Sequence, residues 1–424
     1  MNQANPFMTD VSQKFDVVVI GGGPAGMMAA GRAGELGARV LLLEKNARLG
    51  AKLLMTGHGR CNLTNKLPVK EFVRAVGPKG SFLFSSLSSF GPEEMINFLT
   101  ERRLRVRVED KNRVFPASNR ATDVLLVLTE YMRANRVEIR YDAEVSKMVK
   151  DDNSIRGVIL KSGEEISADN FIIATGGKSY PVTGSNGDGY AWSKFLGHSL
   201  AKARPGLTAI NLSSHFIKEL EGLSLDEVKA SLRINSKEVA AKIGDCIFTS
   251  NGVSGPLAHD LSRQVPADLN STCALLLDLK PEMGSADLNG LLQKYFHEAG
   301  NKQLKNGLQT ILPPKIVPIV LNVAEIVGEK LQNSILKEER QAIADTIKSL
   351  EFKVAGLAGF DKANITVGGV SLEEIDPKTM QSKIVPNAYF AGEIIDLDGP
   401  TGGFNLQICW STGFAAGSAA ARKQ

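Results

Sequence analysis

Three glycines and one glutamate near the start of the chain have the spacing of a dinucleotide-binding site. Residues 15–45 read FDVVVIGGGPAGMMAAGRAGELGARVLLLEK, where Gly21, Gly23 and Gly26 form G-x-G-x-x-G directly after an apolar run. The first glycine permits a tight turn, the second lets a pyrophosphate approach the backbone, and the third lets the next helix lie close to the sheet. Glu44 follows 18 residues after Gly26, where a carboxylate accepts hydrogen bonds from both hydroxyls of an adenosine ribose and repels a 2′-phosphate. The pattern therefore favours FAD or NAD over NADP.

The residues around these glycines predict the elements that must hold them. Residues 17–20 and 40–43 are short, continuous apolar runs, as expected for parallel strands that are buried on both faces. Between them, Gly26, Ala30 and Ala33 place small side chains on one face of a helix. The N-terminus of that helix carries about half a positive charge and faces the phosphates. The sequence thus predicts a Rossmann-type βαβ unit.

Later segments favour FAD over NAD. Residues 137–177 contain short strand-like pieces and then FIIATGG, an arrangement that resembles two-domain flavoproteins of the glutathione reductase type. Near the C-terminus, residues 388–391 predict a strand, followed by Gly392-Glu393 and a glycine pair that opens a helix. In the flavoproteins that this segment resembles, an acidic residue after the glycine contacts the ribityl-phosphate region. The helix N-terminus there points at the pyrimidine edge of the flavin.

That resemblance gives Glu393 the acidic role and places Gly402, Gly403, Phe404 and Asn405 against the isoalloxazine. Reduction puts negative charge on the pyrimidine edge of a flavin, and a helix N-terminus stabilises such charge by roughly 0.3–2 kcal/mol. For a two-electron couple this corresponds to a potential shift on the order of tens of millivolts. The helix therefore tunes the cofactor and does not select the reaction.

The chain has no second G-x-G-x-x-G after an apolar strand. The stretch GSNGDG at residues 184–189 follows a proline and a polar turn, and its glycines predict a loop. A second nucleotide-binding fold for a nicotinamide is therefore not predicted. Any NAD(P)H must dock transiently or not at all.

Several long motifs resemble one bacterial flavoprotein family. They are LGAKLLMTGHGRCNLTN (49–65), NRVFPASNRATDVLLVL (112–128), ATGGKSYPVTGSNGDGYAWSKFLGH (174–198), SNGVSGPLAHDLS (250–262) and ITVGGVSLEEIDPKTMQSKIVPNAYFAGEIIDLDGPTGGFNLQ (365–407). The family is that of NAD(P)/FAD-dependent oxidoreductases, which includes aminoacetone oxidases and 3-dehydro-bile-acid reductases. The resemblance spans essentially the whole chain. It implies one FAD and two-electron redox chemistry.

The resemblance also places the G-R-C-N motif, Gly59 to Asn62, near the flavin. Arg60 is interpreted either as a ligand for a substrate carboxylate or carbonyl, or as support for a phosphate or for the loop. Cys61 has no partner cysteine nearby in sequence, so a small buried side chain is favoured over a redox role. His58 stands where glycine is expected. It is either a proton donor beside the flavin or a tolerated substitution, and we favour the second interpretation.

No catalytic residue and no metal ligand can be assigned from the sequence. Hydride transfer with a flavin needs mainly geometry, because the cofactor supplies the chemistry. The predicted cofactor-binding residues are Gly21, Gly23, Pro24, Ala25, Gly26, Glu44, Lys45, Lys52, Gly59, Arg60, Cys61, Asn62, Val145, Thr175, Gly176, Gly177, Gly392, Glu393, Gly402, Gly403, Phe404 and Asn405.

The middle of the chain does not read as a nucleotide-binding fold. Residues 228–234 alternate between apolar and more polar side chains as in a half-buried strand, and residues 273–279 form a compact apolar strand. Apolar residues then recur at helical spacing over 288–296 and 304–312, and a further helix is predicted over about 338–350. The predicted fold class is α/β, a glutathione reductase-like Rossmann-type FAD domain interrupted by an inserted, mostly β domain. Its predicted parts are an FAD domain at 1–200, a β-rich substrate domain at 201–280, a helical subdomain at 281–350, and a return to the FAD domain at 351–424.

Composition restricts the partners and the compartment. The 424 residues include 50 basic and 46 acidic ones, a net charge of +4, which gives no argument for nucleic acid or for an anionic membrane. We therefore expect neither as a partner, although the total charge does not exclude a local basic patch. The four cysteines lie far apart without a C-x-x-C pair, as in proteins of a reducing cytoplasm. Residues 1–14 lack the features of a signal peptide, and no apolar run is long enough to cross a bilayer. We therefore expect a soluble cytoplasmic protein, while the oligomeric state is not indicated.

The leading functional hypothesis is an FAD-dependent oxidoreductase for a small or hydrophobic carbonyl, enone or amine. Within it, three versions stay open: a reductase supplied by NAD(P)H, an oxidase that returns electrons to oxygen, and a dehydrogenase that uses another carrier. A flavin-binding sensor without turnover is the alternative from another class. An RNA-modifying flavoenzyme is a third hypothesis, and the near-neutral charge counts against it.

Overall fold

The computed structural model describes residues 14–266, 268, 272–299 and 301–422. The segment 1–13, where we expected no signal peptide, therefore lies outside the described residues. The strands in chain order are β1 Phe15–Ile20, β2 Val40–Leu43, β3 Thr64–Asn65, β4 Val106–Glu109, β5 Arg113–Pro116, β6 Glu138–Arg140, β7 Val145–Asp151, β8 Ser154–Leu160, β9 Glu165–Ile173, β10 Leu200–Gly206, β11 Ile210–Ser213, β12 Ser224–Ile234, β13 Lys237–Thr249, β14 Gly252–Ser254, β15 Cys273–Asp278, β16 Leu350–Leu357, β17 Ile365–Val370 and β18 Ala388–Phe390. The α-helices are α1 Pro24–Glu35, α2 Val69–Val76, α3 Phe84–Ser89, α4 Pro92–Glu101, α5 Ala121–Ala134, α6 Asp188–Phe195, α7 Ile217–Leu220, α8 Pro256–Ser262, α9 Ser285–Ala299, α10 Leu304–Leu308, α11 Val317–Val323, α12 Lys337–Lys348 and α13 Phe404–Ala420.

The chain divides into two units. The first, here called the Rossmann unit, comprises Met1–Arg204 and Ile365–Gln424, and the second, the inserted unit, comprises Pro205–Asn364. Within the described ranges, no helix combines the length and the apolar character that crossing a membrane requires.

The Rossmann unit is built on a seven-stranded sheet in the order β6-β2-β1-β9-β8-β7, with β18 added alongside β9. Parallel pairing joins β1 to β2 and to β9, so Ile20 lies between Leu43 and Ile173 where the three strands have their carboxyl ends. The apolar runs predicted as strands form this buried centre. The predicted α/β fold with a Rossmann-type domain is confirmed.

Helices α1 and α13 pack against each other through small residues. A Cβ atom at Gly413 or at Gly417 would overlap the backbone oxygen of Ala25 or of Ala29. Such close contact of two helices requires residues without a side chain. It brings the first and the last helix of the Rossmann unit side by side, although they are far apart in sequence.

The inserted unit contains a closed six-stranded barrel in the order β11-β14-β13-β12-β15-β16. Strand β16 closes it, with Phe352 paired to Leu275 and Val354 paired to Leu212. The prediction had the chain return to the FAD domain at residue 351. In the structure it returns at Ile365, because β16 is needed to complete the barrel hydrogen bonding.

The helices of the inserted unit share one hydrophobic core with the barrel. Leu292 of α9, Leu308 of α10 and Ile343 of α12 belong to the same buried cluster as barrel residue Leu275. The helical segment predicted at 281–350 is therefore not separate from the barrel. Helix α11 was not predicted, because the prolines that precede it ended the helical pattern in the sequence.

A buried histidine fastens the end of α6 to the segment before β18. His198 Nε2 lies 2.8 Å from Ser382 Oγ, and His198 Nδ1 lies 3.0 Å from Glu374 Oε2. The Ser382 oxygen already accepts hydrogen bonds from the backbone N–H groups of Ile384 and Val385, so its own hydrogen is donated to Nε2. The proton of the neutral ring therefore resides on Nδ1 and is donated to Glu374.

Stability is expected to fall on mild acidification because of His198. Burial lowers the pKa of His198, and the neighbouring Glu374 offsets this only in part. Because the unfolded chain then binds the proton more readily, the contribution of His198 is complete above its ordinary pKa of about 6.5 and is lost as pH falls below it. We predict that the melting temperature decreases between pH 7.5 and 5.5 in the native protein, and decreases less in His198→Gln. Equal decreases in both proteins would contradict this role.

Candidate functional site

The turn between β1 and α1 leaves open space in front of a helix N-terminus. Gly21 has φ +106°, and a Cβ there would lie 2.6 Å from the backbone oxygen of Ala174. A Cβ at Gly26 would overlap the backbone oxygen of Gly21, whereas a Cβ at Gly23 would meet no atom within 4 Å. Two of the glycines are therefore required by protein packing. Gly23 instead leaves space free in front of the N-terminus of α1. A pyrophosphate needs this space to approach the free backbone N–H groups of the first helical turn.

Glu44 is buried at the end of β2. Its carboxylate accepts hydrogen bonds from the backbone N–H of Gly22 at 2.8 Å and from the backbone N–H of Asn46 at 2.8 Å. The side-chain amide of Asn46 donates a further bond at 2.7 Å. These donors hold the carboxylate beside the glycine turn. A carboxylate has about four acceptor positions, so acceptor capacity remains for a ribose hydroxyl.

The predicted loop at 184–189 is fastened to the end of β2. Lys45 Nζ donates to Asn186 Oδ1 at 2.9 Å and to Asp188 Oδ2 at 2.8 Å. Asn46 donates to the backbone oxygen of Thr183 at 3.1 Å. The loop ends sooner than predicted, because Asp188 already begins α6. Lys45 thus contributes to this site by positioning a loop.

Lys52 and Glu393 form an ion pair with a shared set of partners. Lys52 Nζ lies 2.6 Å from Glu393 Oε2 and 2.8 Å from Ser179 Oγ. Glu393 Oε1 accepts from Ser179 Oγ at 2.6 Å and from the backbone N–H of Thr366 at 2.7 Å. A Cβ at Gly177 would overlap the Thr366 side chain. The network therefore joins four segments of the chain. Neither Ser179 nor Thr366 was predicted, because no sequence motif marks them as partners of this pair.

The glycine pair before α13 rests on the G-R-C-N segment. Gly402 and Gly403 have φ values of +109° and +100°, and a Cβ at Gly403 would overlap the backbone oxygen of Thr64. With its amide oriented to donate to Val114 and Thr64, Asn62 accepts the Gly403 N–H at 3.1 Å. These contacts bring the predicted residues of the two motifs together.

The side chains of Phe404 and Asn405 are used within the protein. The Phe404 ring lies 4.7 Å from the Phe72 ring. Asn405 accepts from the Gly399 N–H at 2.9 Å and donates to the Gly399 and Pro400 backbone oxygens. What these residues offer to a bound group is therefore the backbone at the start of α13.

The remaining predicted residues occupy three different settings. Val145 is buried in β7 and faces the hydrophobic core. Thr175 Oγ1 is buried and has no hydrogen-bond partner among the described residues, and Gly176 beside it has φ +70°. A buried hydroxyl without a partner fits a site that is completed by a bound group. Gly392 also needs its φ of +77°, and its N–H donates to Thr412.

Cys61 is a buried thiol in a strained turn. Its side chain is fully buried and its φ is +61°. Burial raises the pKa of the thiol to about 12, which a hydrogen bond with Thr56 only partly offsets. A thiol with this pKa stays protonated at neutral pH and is a poor nucleophile. The observed setting supports the interpretation of Cys61 as a packing residue.

Arg60 is bound to the hairpin of β4 and β5. Its Nε donates to Asn119 Oδ1 at 2.9 Å, its guanidinium lies 4.1 Å from the Phe115 ring centroid, and it forms an ion pair with Glu109. Arg107 donates to the same Glu109 and Asn119 oxygens. Burial raises the pKa of Glu109, but the hydrogen bonds from Arg107 and Arg60 outweigh it and lower the pKa. These contacts favour support of the loop as one role of Arg60.

His58 is exposed and has φ +57°, a region in which glycine has no steric cost. This explains why glycine is expected at this position. We predict that His58→Gly retains kcat within about twofold, because the exposed side chain is interpreted as a tolerated substitution. Loss of a proton donor would instead lower kcat about 100-fold or more. The measurement is kcat across pH 6–9 with any substrate that the protein turns over. A hundredfold loss with unchanged flavin content would show that His58 takes part in the chemistry.

The geometry suits a cofactor with two ends. The β1–α1 turn and Glu44 can hold a pyrophosphate and a ribose. The same unit also contains the Lys52–Glu393 pair and, separately, the glycine turn at the start of α13. Both helix N-termini favour negative charge. In the described part of the chain, no group of three or more His, Cys, Asp or Glu side chains could hold a metal ion.

Comparisons with known proteins agree with this geometry. The profile of a family described as HI0933-like protein Rossmann domain matches residues 15–419. The chain is 29% identical over 410 residues to the 3-dehydro-bile acid delta(4,6)-reductase of Clostridium scindens, covering 96% of this chain and 98% of that protein. It is 28% identical over 404 residues to the ribosomal RNA dihydrouridine synthase of Escherichia coli, covering 95% of this chain and 97% of that protein.

A solved structure shares the fold over nearly the whole length. The 3-ketosteroid-delta4-(5alpha)-dehydrogenase from Rhodococcus jostii RHA1 superposes with a TM-score of 0.53 at 14% identity, over 98% of this chain and 99% of that chain. At this identity the likeness shows the fold alone. The family match and the reductase that matches over nearly its full length bear out the predicted FAD cofactor and the predicted oxidoreductase class. The cofactor of this chain is FAD.

Proposed function

Because the chain belongs to the HI0933-like Rossmann family, we propose that it is an FAD-dependent reductase that saturates a carbon–carbon double bond conjugated to a carbonyl group. One observation carries the proposal. Two relatives that match over nearly their full lengths are named for different substrates, a 3-dehydro bile acid and ribosomal RNA. Both names nevertheless describe the addition of two hydrogens across a carbon–carbon double bond.

The two named reactions have the same electronic requirement. In a 3-oxo compound with a 4,5 double bond, and in the uracil ring with its 5,6 double bond, the alkene is conjugated to a carbonyl. Such an alkene accepts a hydride at the β carbon and a proton at the α carbon. Reduced FAD, when bound, supplies the hydride. The α13 N-terminus and the fixed glycine turns then have to hold the reacting groups in register.

The residues of this chain support that role mainly through positioning. Glu44 and the open space at Gly23 fit the adenosine and pyrophosphate end. The Lys52–Glu393 pair and its hydroxyl partners fit the middle of the cofactor. The positive end of α13 stabilises negative charge at the pyrimidine edge.

We also infer that NAD(P)H supplies the electrons by transient docking, since a single dinucleotide fingerprint is present. The cytoplasm is the proposed compartment, because all four cysteines are unpaired and NAD(P)H is available there.

The test is product analysis under anaerobic conditions. The purified holoprotein is incubated with NADH or NADPH and with three acceptors: cyclohex-2-enone, a 3-oxo-4-ene steroid, and uridine-containing ribosomal RNA. The proposal expects a product two hydrogens heavier from at least one acceptor, and none from cyclohexanone. Hydrogen peroxide release with an amine panel, without reduction of any alkene, would instead support an oxidase. A flavin that stays oxidised with every donor would favour the sensor hypothesis.

A small hydrophobic enone and a uridine in RNA are both candidate substrates within this reaction. The small-molecule class is the broader expectation from the sequence. The RNA class is favoured by a basic surface of the Rossmann unit.

A further inference from the structure

The hairpin of β4 and β5 presents arginines on one face. In its register Arg107 lies opposite Phe115, and Glu109 lies opposite Arg113. Backbone pairing continues one residue before β4, because the Arg105 oxygen accepts a hydrogen bond from the Ala117 N–H. Side chains two residues apart along such an extended segment lie on the same face, so Arg105 joins Arg107 there. We call Arg60, Arg105, Arg107 and Arg113 the arginine face.

Phe115 forms the floor of the arginine face. The guanidinium of Arg60 lies 4.1 Å and that of Arg113 lies 5.9 Å from its ring centroid. The ring itself is buried, with 4% exposure. These cation–π contacts hold the two guanidinium groups against one buried ring. Two of the four cations of the face are therefore positioned by the protein itself.

The acidic residues nearby do not neutralise this face. Among the paired residues of β4 and β5, Glu109 is the one with a carboxylate, and it already forms ion pairs with both Arg60 and Arg107. Arg105 is exposed, and no ion pair joins it to an acidic group among the described residues. Residues 101–123 contain seven basic and four acidic residues, and Arg102 and Arg120 at the ends of this segment pair with Glu101 and Asp123. The segment keeps a net charge of +3, and a local excess of positive charge attracts polyanions.

The positive charge is concentrated in one unit of the chain. Residues 205–364 contain 17 basic and 19 acidic residues, and the rest of the chain contains 33 basic and 27 acidic ones. The expectation of no nucleic-acid partner rested on the net charge of the whole chain, which hides this asymmetry. A local patch and not the total charge determines where a polyanion binds.

The arginine face adjoins the second glycine turn of the cofactor site. The Arg113 Cγ atom would lie 3.9 Å from a Cβ placed on Gly402. A Cβ on Gly57 would lie 3.4 Å from the Phe115 ring, so the G-H-G-R-C-N loop borders the same face. A polyanion bound here would pass close to the segment predicted to hold the isoalloxazine.

We propose that the arginine face binds the phosphate backbone of RNA on both sides of the uridine that is reduced. This inference rests on the proposed function and names its substrate class. Arginine pairs with phosphate in a planar, bidentate geometry. Four arginines spread over a hairpin and a loop match a chain of phosphates better than a single carboxylate of a small substrate.

The test compares two double variants that change the net charge equally. Arg105→Gln/Arg107→Gln alters the face and leaves Arg60 paired with Glu109. Arg133→Gln/Arg156→Gln is the control, since these arginines are 73% and 54% exposed and lie outside the face. Affinity for a fluorescein-labelled oligouridylate and for ribosomal RNA is measured by anisotropy over a series of salt concentrations.

We expect the face variant to bind RNA at least about tenfold more weakly, and its slope of log affinity against log salt to fall by about 1.4, or about 0.7 for each lost phosphate contact. The control variant should bind as the unaltered protein does. No RNA binding by the unaltered protein, or equal binding by both variants, would overturn the inference. Tighter binding to vesicles of phosphatidylserine than to RNA, lost in the same variant, would overturn it in favour of a membrane surface.

Failure of this inference is distinguishable from failure of the proposed function. Reduction of the flavin by NAD(P)H and its reoxidation by cyclohex-2-enone are followed in the same preparations. If enone reduction persists while RNA does not bind, the reductase stands and the substrate is a small molecule. If RNA binds at the arginine face but no alkene is reduced, the inferred RNA-binding surface is correct and the proposed reaction is wrong.

Discussion

Gly23→Ala is expected to fold normally and to lose most of its affinity for FAD. The backbone at Gly23 has φ −79° and ψ −177°, which any residue adopts, and the added Cβ would meet no protein atom within 4 Å. The methyl group would instead occupy the space in which a pyrophosphate approaches the helix N-terminus. We expect the dissociation constant for FAD to rise about 100-fold, or about 2.7 kcal/mol. The measurement is the quenching of FAD fluorescence on titration with apoprotein.

Gly26→Ala is the matched control for that prediction. Its Cβ would overlap the backbone oxygen of Gly21, so the helix has to move away from the sheet. The apoprotein should therefore lose about 3 kcal/mol of unfolding free energy, whereas Gly23→Ala should lose almost none. Equal destabilisation in the two variants, or unchanged FAD affinity in Gly23→Ala, would contradict the assignment of this turn to the pyrophosphate.

Glu393→Ala is expected to damage both stability and FAD binding. Lys52 and Glu393 have side chains that are 20% and 17% exposed, so the substitution leaves Lys52 largely buried without its carboxylate partner. It also removes the acceptor for Ser179 and for the Thr366 N–H. Breaking a buried ion pair from one side costs about 3–5 kcal/mol, and we expect about 3 because the pair is partly exposed. Urea unfolding of the apoprotein measures this loss.

Two further variants test whether the loss comes from the network. Glu373→Ala removes an exposed carboxylate from the same half of the chain and should change the free energy of unfolding by less than about 0.5 kcal/mol. In a cycle with Lys52→Met, the double variant should be more stable than the sum of the single losses predicts. Strict additivity would mean that the Lys52–Glu393 contact carries no interaction energy.

The sequence predicted the elements of the Rossmann unit whose signals are local. The run at 40–43 coincides with β2, because a strand buried on both faces is apolar throughout. The tight turn expected at Gly21 and the close helix packing expected at Gly26 are present, whereas the role of Gly23 toward a pyrophosphate stays a prediction. A short segment is sufficient here, since the turn, the helix start and the acid all lie within about 30 residues.

The barrel could not be predicted in the same way. Strand β13 spans Lys237–Thr249, yet most of its residues are exposed, so it shows no alternation of apolar side chains. Closure depends on pairing of β16 with β11 and β15, and such long-range pairing leaves no local pattern. For this reason the return to the Rossmann unit was placed too early.

The hydrogen-bond partners of the site residues could not be predicted from the sequence either. Ser179 reaches Glu393 across 214 positions, and Asn119 reaches Arg60 across 59. Phe404 and Asn405 were expected against the isoalloxazine, but their side chains contact Phe72 and the 399–400 turn. Residue types indicated which groups could bind a cofactor. Only the fold determines which of them already have protein partners.

The proposed reaction is tested most directly by the oxidative half-reaction alone. The holoprotein is photoreduced without oxygen, so that no nicotinamide is needed, and is then mixed with cyclohex-2-enone or with cyclohexanone while the visible flavin absorbance is recorded. Return of the oxidised spectrum with the enone, formation of the saturated ketone in equal amount, and no response to cyclohexanone would be the predicted result. A flavin that stays reduced with this enone, with the 3-oxo-4-ene steroid and with ribosomal RNA, but reoxidises in air with release of hydrogen peroxide, would contradict the assignment as a double-bond reductase.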